Sequence, residues 1–229
     1  KYDRYQPEFY EDTKTYISKR ANIKKVNSGI KIYNINTEVI DKITREFSVD
    51  RDLLLSLMGI ETNFGNYLGK MDIVSSLATL SYDKRRSEFF TSELITLLIL
   101  FDNGIINPNN YLGSWAGAFG NFQFMPSTIK NYAIDYNKDK TINLKSIEDS
   151  FASAANYLNK IGWDNSSPCF FKVELINETP SKYLNTSAKQ IKYKNKISYL
   201  KKYIKNSEIL NDFDNLKGAL VTPVSYTHL

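Results

Sequence analysis

A single cysteine, Cys169, and a single histidine, His228, leave this chain of 229 residues short of soft metal ligands. One thiol excludes an intrachain disulfide and any cysteine-built metal cluster. The histidine stands in PVSYTHL, residues 223–229, which resembles a translated sequencing adaptor, so histidine chemistry is set aside and residues 225–229 are expected to be a non-native tail. No apolar run reaches the length of a membrane span. No internal repeat or low-complexity tract is present. No methionine or signal peptide opens the chain at Lys1, as expected of a processed or cut form. Excess charge is also scarce: 30 Lys and Arg face 25 Asp and Glu, a net +5 that favours anionic partners without naming one. The densest basic run, KQIKYKNKISYLKKYIK at 189–205, interleaves Tyr193, Tyr199 and Tyr203. It suits a phosphate backbone in principle, and more readily a solvated helix face or hairpin; no nucleic-acid partner is expected.

What is there is ordinary globular material, 42% hydrophobic and 24% charged, enough for one large domain or two small ones. Aromatics reach 14%, a share that lines carbohydrate or nucleobase sites, although AT-rich coding raises Tyr and Phe too. From Thr37, the apolar residues Val39, Ile40, Ile43 and Phe47 recur at helical spacing. Asp50 offers an N-cap to a second helix carrying Leu53, Leu54, Leu57, Met58 and Glu61, with Gly65 as its stop. Helices are also predicted over about 73–82 and 87–101. Another opens at Pro126 and Ser127, and a last one in FASAANYLNKIGW ends at Gly162. Beyond Trp163, CFFKVELI reads as β. The expectation is a mainly α fold: a helical lobe over 1–162 and a small β-containing lobe over 163–224.

Glu61 is the conspicuous carboxylate. Leu54, Leu57, Met58 and Glu61 share a helical face by spacing, which puts Glu61 on the core-facing stripe. Burial raises a carboxyl pKa, and the negative end of the helix acts in the same direction. Both hold Glu61 protonated toward neutral pH, as a general acid requires. The same position also fits a partly exposed glutamate just past the core, or one paired with a cation. Asp72, Asp83 and Glu93 read as lying in more polar or unremarkable surroundings.

The segments GIETNFG, LATLSYDKRRSEFF, GSWAGAFGNFQFMPST, YAIDYNKDKTINL and SAANYLNKIGW, in this order and spacing, resemble the membrane-bound lytic murein transglycosylase B family. The likeness is close over 26–163 and looser to about 223. It implies a lysozyme-like helical catalytic lobe and a peptidoglycan lytic transglycosylase with Glu61 as the single acid/base. In that chemistry the β-1,4 MurNAc–GlcNAc bond is cleaved with formation of 1,6-anhydroMurNAc ends. The alternatives are a peptidoglycan-binding module without turnover and a water-using muramidase on the same scaffold. The resemblance further implies peptidoglycan glycan strands as partner, a monomer in the periplasm, and outer-membrane anchoring through an amino-terminal region outside this chain. Relatives of this kind carry a further segment after the β lobe that closes the cleft.

Around Glu61 the resemblance implies a set of substrate-binding residues. Ser114 and Gln123 lie in a small-residue segment that lets a sugar approach the backbone; loop capping is their plain alternative. Arg85 and Arg86 match paired arginines suited to anionic peptide or lactyl groups, and otherwise read as surface charge. Tyr157 matches a cleft tyrosine, a residue that by spacing alone belongs to the core. The run DYNKDKTINLKSIED starts like an EF-hand loop with Asp135, Asn137, Asp139 and the Thr141 backbone. Lys140 fills the usual glycine place and Ser146 the place of the bidentate glutamate; the resemblance supplies Asp149 as the completing ligand. A structural Ca²⁺ or other hard cation is expected, with no organic cofactor; a polar turn capping a helix is the alternative.

Overall fold

Apolar periodicity makes the helices, and the short polar breaks between them set their ends. The computed structural model describes residues 13–109, 111–185 and 191–222. The tail at 225–229 and Lys189 of the basic run lie outside the described residues. In chain order come α1 (Thr13–Arg20), α2 (Ile23–Ile35), α3 (Thr37–Phe47), α4 (Arg51–Thr62), β1 (Met71–Asp72), α5 (Ile73–Tyr82) and α6 (Ser87–Asp102). Then follow β2 (Leu112–Gly113), α7 (Pro126–Tyr132), α8 (Ile147–Lys160), β3 (Leu184–Asn185), β4 (Asn195–Lys196), α9 (Ile197–Leu200), β5 (Lys217–Gly218) and β6 (Leu220–Val221). Among the described residues no helix is long and apolar enough to cross a membrane.

The chain divides into two compact units, which among the described residues are 20–167 and 13–19 with 168–222. The division falls at 167/168. Trp163 stays with the helical unit because its backbone N–H returns to the Leu158 carbonyl and its ring packs on that unit's core.

In the first unit α8 is the central element. Every residue from Asp149 to Ala155 is buried, and the small side chains Ala152, Ser153, Ala154 and Ala155 let neighbouring helices approach closely. Around it stand Ile40 and Ile43 of α3, Leu54 of α4, Ile73 and Leu77 of α5, Leu97 of α6 and Ile129 of α7, each at most 1% exposed. Burial of one such side chain contributes about 1.5–3 kcal/mol. Phe122 meets Phe151 edge-to-face at 5.2 Å. The helix starts are capped by Asn22 on the Lys25 N–H, Asp72 on Ser75 and Ser146 on Asp149. Asp50 does stand at the N-cap of α4 but makes no side-chain cap bond.

The second unit is thinner. Leu200, Ile204, Leu210 and Leu220 are its buried apolar residues, with Phe171, Val173 and Leu175 packed against them. CFFKVELI alternates as a strand should, but pairs only through one bridge, Leu175 to Ile204, flanked by the Ile176 N–H on the Tyr203 carbonyl. Its partner turns helical at 201–203, so no ladder propagates. The strands that do form are two residues long: β3 pairs parallel to β6, and β4 antiparallel to β5. Asn185, 5% exposed, substitutes for missing ladder bonds by donating to the Leu220 carbonyl and accepting the Lys192 N–H.

Candidate active site

Glu61 is the penultimate residue of α4. The buried stripe of that helix runs Leu54, Leu55, Met58, Gly59, Thr62. Glu61 therefore lies one row over, beside the half-buried Leu53 and Leu57, and is itself exposed. The expected core-facing position is thus corrected: at about 100° per residue the buried arc is centred between Met58 and Thr62, and Glu61 falls beyond its edge. Its carboxyl is nevertheless pushed up from the usual glutamate range, because surrounding protein displaces water from it. The carbonyl end of α4 favours the neutral form as well. Among the described residues the Glu61 carboxyl has no hydrogen-bond or ionic partner.

The helix end that carries Glu61 is tightly held. Asn63 and Phe64 take left-handed backbone, φ 49° and 59°, and Gly65 follows at φ 80°. The helix thus stops at Thr62, with Asn63 as its left-handed cap, ahead of Gly65. Phe64 folds back, its N–H on the Met58 carbonyl. Its ring lies across two glycines: a β-carbon at Gly59 would stand 2.7 Å from it, and one at Gly29 3.2 Å. The buried Thr62 hydroxyl donates to the Asn121 carbonyl at 2.8 Å and accepts the Gly65 N–H. That bond ties α4 to the small-residue loop. Two more ties follow: β1 pairs with β2, and the Gln123 amide nitrogen donates to the Leu68 carbonyl at 3.3 Å. A β-carbon at Gly69 would fall 2.0 Å from the Gly113 carbonyl oxygen, so the backbones touch there.

These ties bring the segment after Glu61 against the loop that holds Ser114 and Gln123. Ser114 accepts the Ala116 and Ala118 N–H groups, the loop-capping role, and keeps its own hydroxyl proton. Gln123, at φ 50°, also donates to the Gly120 carbonyl at 3.0 Å, so its amide nitrogen is committed to the loop. Tyr157 on α8 stacks edge-to-face on Tyr132 at 5.1 Å and lies 5.9 Å from Phe124. Arg85 and Arg86 are exposed just before α6, and the Arg86 guanidinium covers Phe90 at 4.8 Å and Phe89 at 4.9 Å. A concavity of about 420 Å³ lies against α2 and α4, lined by Val26, Ile30, Leu55 and Ile60 among others, and does not contain the Glu61 side chain.

Two other carboxylates are far more buried than Glu61. Glu93 is 4% exposed, which corrects its reading as unremarkable. Both its oxygens are taken, one by the Ser127 N–H at 2.9 Å and one by the Ser127 hydroxyl at 2.6 Å, so it anchors α6 to the start of α7. The signal for it was the serine behind Pro126 at a helix start. Asp149 is fully buried and accepts the Tyr136 and Asn143 N–H groups, each at 2.8 Å.

Those amides belong to the candidate cation loop. Lys140 adopts φ 74°, the left-handed backbone that the glycine place of such a loop requires. The oxygens, however, turn onto the loop itself. Asp135 accepts the Asp139 and Lys140 N–H groups, and Asp139 accepts the Thr141 hydroxyl, the Thr141 N–H and the Asn137 amide, bonds that pull its carboxyl below the usual range. Among the described residues no three carboxylate, histidine or thiol groups gather to hold a metal. The donor set fits a hard cation in kind and spacing, but its oxygens do not converge.

Comparison with known proteins gives a consistent picture. Residues 1–226 match the transglycosylase SLT domain family. The chain is 36% identical over 149 residues to membrane-bound lytic murein transglycosylase B of Escherichia coli K12, covering 65% of this chain and 41% of that protein. Its fold matches SltB3 from Pseudomonas aeruginosa in complex with NAG-anhNAM-pentapeptide, with a TM-score of 0.85 and 26% identity over 93% of this chain and 58% of that one. It also matches the Escherichia coli lytic transglycosylase Slt35 in complex with calcium, with a TM-score of 0.75, 30% identity and coverage of 90% and 64%. The chain therefore spans less than two thirds of each of these relatives.

Proposed function

Since the chain belongs to the transglycosylase SLT domain family, we propose that it cleaves the MurNAc–GlcNAc bond of peptidoglycan lytically, with Glu61 as the sole acid/base. The observation that carries this reading is Glu61 itself: an unpartnered carboxyl, raised toward the neutral form, on a helix end pinned to the small-residue loop. The other two carboxyls described above are spent on backbone and hydroxyl donors.

In the first step the Glu61 acid protonates the glycosidic oxygen as the bond to MurNAc C1 breaks, and GlcNAc leaves as the alcohol. The Glu61 carboxylate then takes the proton from the MurNAc C6 hydroxyl as that oxygen bonds C1. The product is a 1,6-anhydro end, Glu61 is again an acid, and no water is consumed. One carboxyl thus serves both steps, where hydrolytic glycosidases use two. Ser114 retains a proton to give to a sugar oxygen, and the Gln123 amide oxygen is an acceptor for a sugar hydroxyl. Tyr157 offers a ring edge, and Arg85 and Arg86 suit stem-peptide carboxylates. Such an enzyme works as a monomer in the periplasm, with membrane attachment through a segment outside this chain.

The test is mass spectrometry of soluble products from purified peptidoglycan, for this chain and its Glu61→Gln variant. Products one water lighter than hydrolytic muropeptides, absent with the variant, are expected. Reducing ends would reassign the chain as a muramidase, and binding without product as a binding module. The loop with Asp135, Asn137, Asp139, Thr141 and Asp149 is read as a structural cation site; calcium titrated during thermal unfolding raises the midpoint, and Asp135→Ala removes that rise. Stabilisation that survives the substitution would sink the site.

A further inference from the structure

The charge of this protein is segregated. Residues 1–167 carry 20 basic and 20 acidic side chains, whereas 168–229 carry ten lysines against five carboxylates. The entire excess therefore lies in residues 168–229, which belong to the second unit. Within it three tyrosines cluster: Tyr183 and Tyr203 rings lie 5.2 Å apart, Tyr183 and Tyr199 5.9 Å, and Tyr199 and Tyr203 6.2 Å. The Tyr183 and Tyr199 hydroxyls share a hydrogen bond at 2.7 Å. The Lys202 ammonium sits 3.7 Å from the Tyr199 ring centre and 4.9 Å from that of Tyr203, and Lys182 lies 5.0 Å from Tyr183. Both lysines are exposed, and Tyr199 is 39% exposed.

A surface lysine ordinarily either waves in water or pairs with a carboxylate. Lys202 does neither: its partners are two ring faces and a phenol, so its charge is positioned but not cancelled. Lys201 next to it shows the contrast, bonded to Asp214 at 2.9 Å. The held Lys202 ammonium and the exposed Lys182 ammonium beside Tyr183, together with the phenol hydroxyls, make a receptor for a carboxylate, with both charge-assisted and neutral donors. We propose that Lys182 and Lys202, held on the Tyr183–Tyr199–Tyr203 cluster, form a second binding site for the carboxylates of peptide-bearing glycan strands. This rests on peptidoglycan being the substrate. Two point cations suit the isolated carboxylates of a stem peptide better than the continuous phosphate track of a nucleic acid, whose affinity grows with the number of neutralised phosphates.

The cluster supplies its own reporter. Lys202 and Tyr183 pull the Tyr199 phenol down to about 8, while its partner Tyr183 is pushed up to about 12. An anion bound beside Tyr199 disfavours its phenolate, so occupancy lowers tyrosinate absorbance at mildly alkaline pH. The experiment uses the Glu61→Gln chain, which leaves strands intact, with soluble peptidoglycan strands that either carry stem peptides or have been stripped of them by an amidase, the lactyl carboxylates so freed then being capped as methylamides. Peptide-bearing strands are expected to bleach the tyrosinate band and to bind about tenfold more tightly than stripped ones, a difference typical of one or two charge-assisted contacts. Lys182→Gln with Lys202→Gln should shrink the preference to what Arg85 and Arg86 supply, and Lys202→Arg should restore it, which separates lost charge from lost fold. An unmoved band, equal binding of both strands by the parent, or an unaltered preference in the double variant overturns the proposal. So does a response to duplex DNA or phosphatidylglycerol vesicles in place of strands. Product analysis with the unsubstituted chain is read separately: anhydro products with an unmoved band reject this site alone, and no anhydro products reject the catalytic reading.

Discussion

The two units are held together by different means. The helical unit buries 21 apolar residues in one cluster and the second unit four, although the second has more than a third as many described residues. The first is charge-balanced and rigid around a buried helix; the second is lysine-rich, with strands of two residues and polar ties such as Asn185. A carboxyl that must meet one bond of a sugar polymer needs a scaffold that does not yield. A surface that only grips anions tolerates a looser one. The contrast suits the proposed division of labour, chemistry in the first unit and adhesion in the second.

The strongest way to break that assignment is at Glu61. Glu61→Gln should lower turnover by about 10²–10⁴-fold or more, the range for loss of a general acid, with no loss of stability. The pH profile sharpens this. The folded-state pKa is raised, so activity that needs the acid form falls as pH rises through it. For stability, the unfolded chain ionises Glu61 at lower pH than the folded one, so the parent loses stability as pH rises through the folded value. Thermal melts at acidic and neutral pH should show Glu61→Gln gaining on the parent as pH increases.

Next in size are the two cores. Phe151→Ala, at a site with no exposure, should cost about 3–5 kcal/mol. Leu210→Ala should cost about 2–3 kcal/mol, the low end for such a change, because a core of four residues relaxes more easily. Calorimetry should show separate losses, with the first abolishing activity and the second sparing it; equal losses of activity would erase the distinction between the units.

Smaller effects come from single polar ties. Thr62→Val strands the Asn121 carbonyl and the Gly65 N–H, and should cost about 1–3 kcal/mol together with turnover. Asn185→Ala should cost a similar amount in the second unit, by denaturant titration, with turnover on small fragments unchanged. The smallest is Lys140→Gly, which relieves a left-handed backbone and should stabilise by about 1 kcal/mol.

Much of the first unit was legible from the chain. The apolar period marks α3, α4, α6 and α8, and Pro126 marks the start of α7. Glu61 stood out by type and place, but not by depth, because periodicity resolves a face only to within a residue or so and the buried row passes through Thr62. Glu93 was opaque for a related reason: a carboxylate that satisfies a helix start looks, in a sequence, like any other. CFFKVELI had the alternation of a strand and lacked a neighbour long enough to pair with. The tyrosine cluster joins Tyr183 to residues sixteen and twenty positions later, a contact that no local pattern carries.

The Phe64 ring across Gly29 and Gly59 has an evolutionary consequence. A methyl group at 59 collides with the Phe64 ring at 2.7 Å and one at 29 crowds it at 3.2 Å, so the large residue at 64 favours glycine at both. The three sites are thus linked in inheritance: side chains at 29 and 59 are disfavoured while the ring is in place, and a smaller residue at 64 would be the permissive first step that frees the other two.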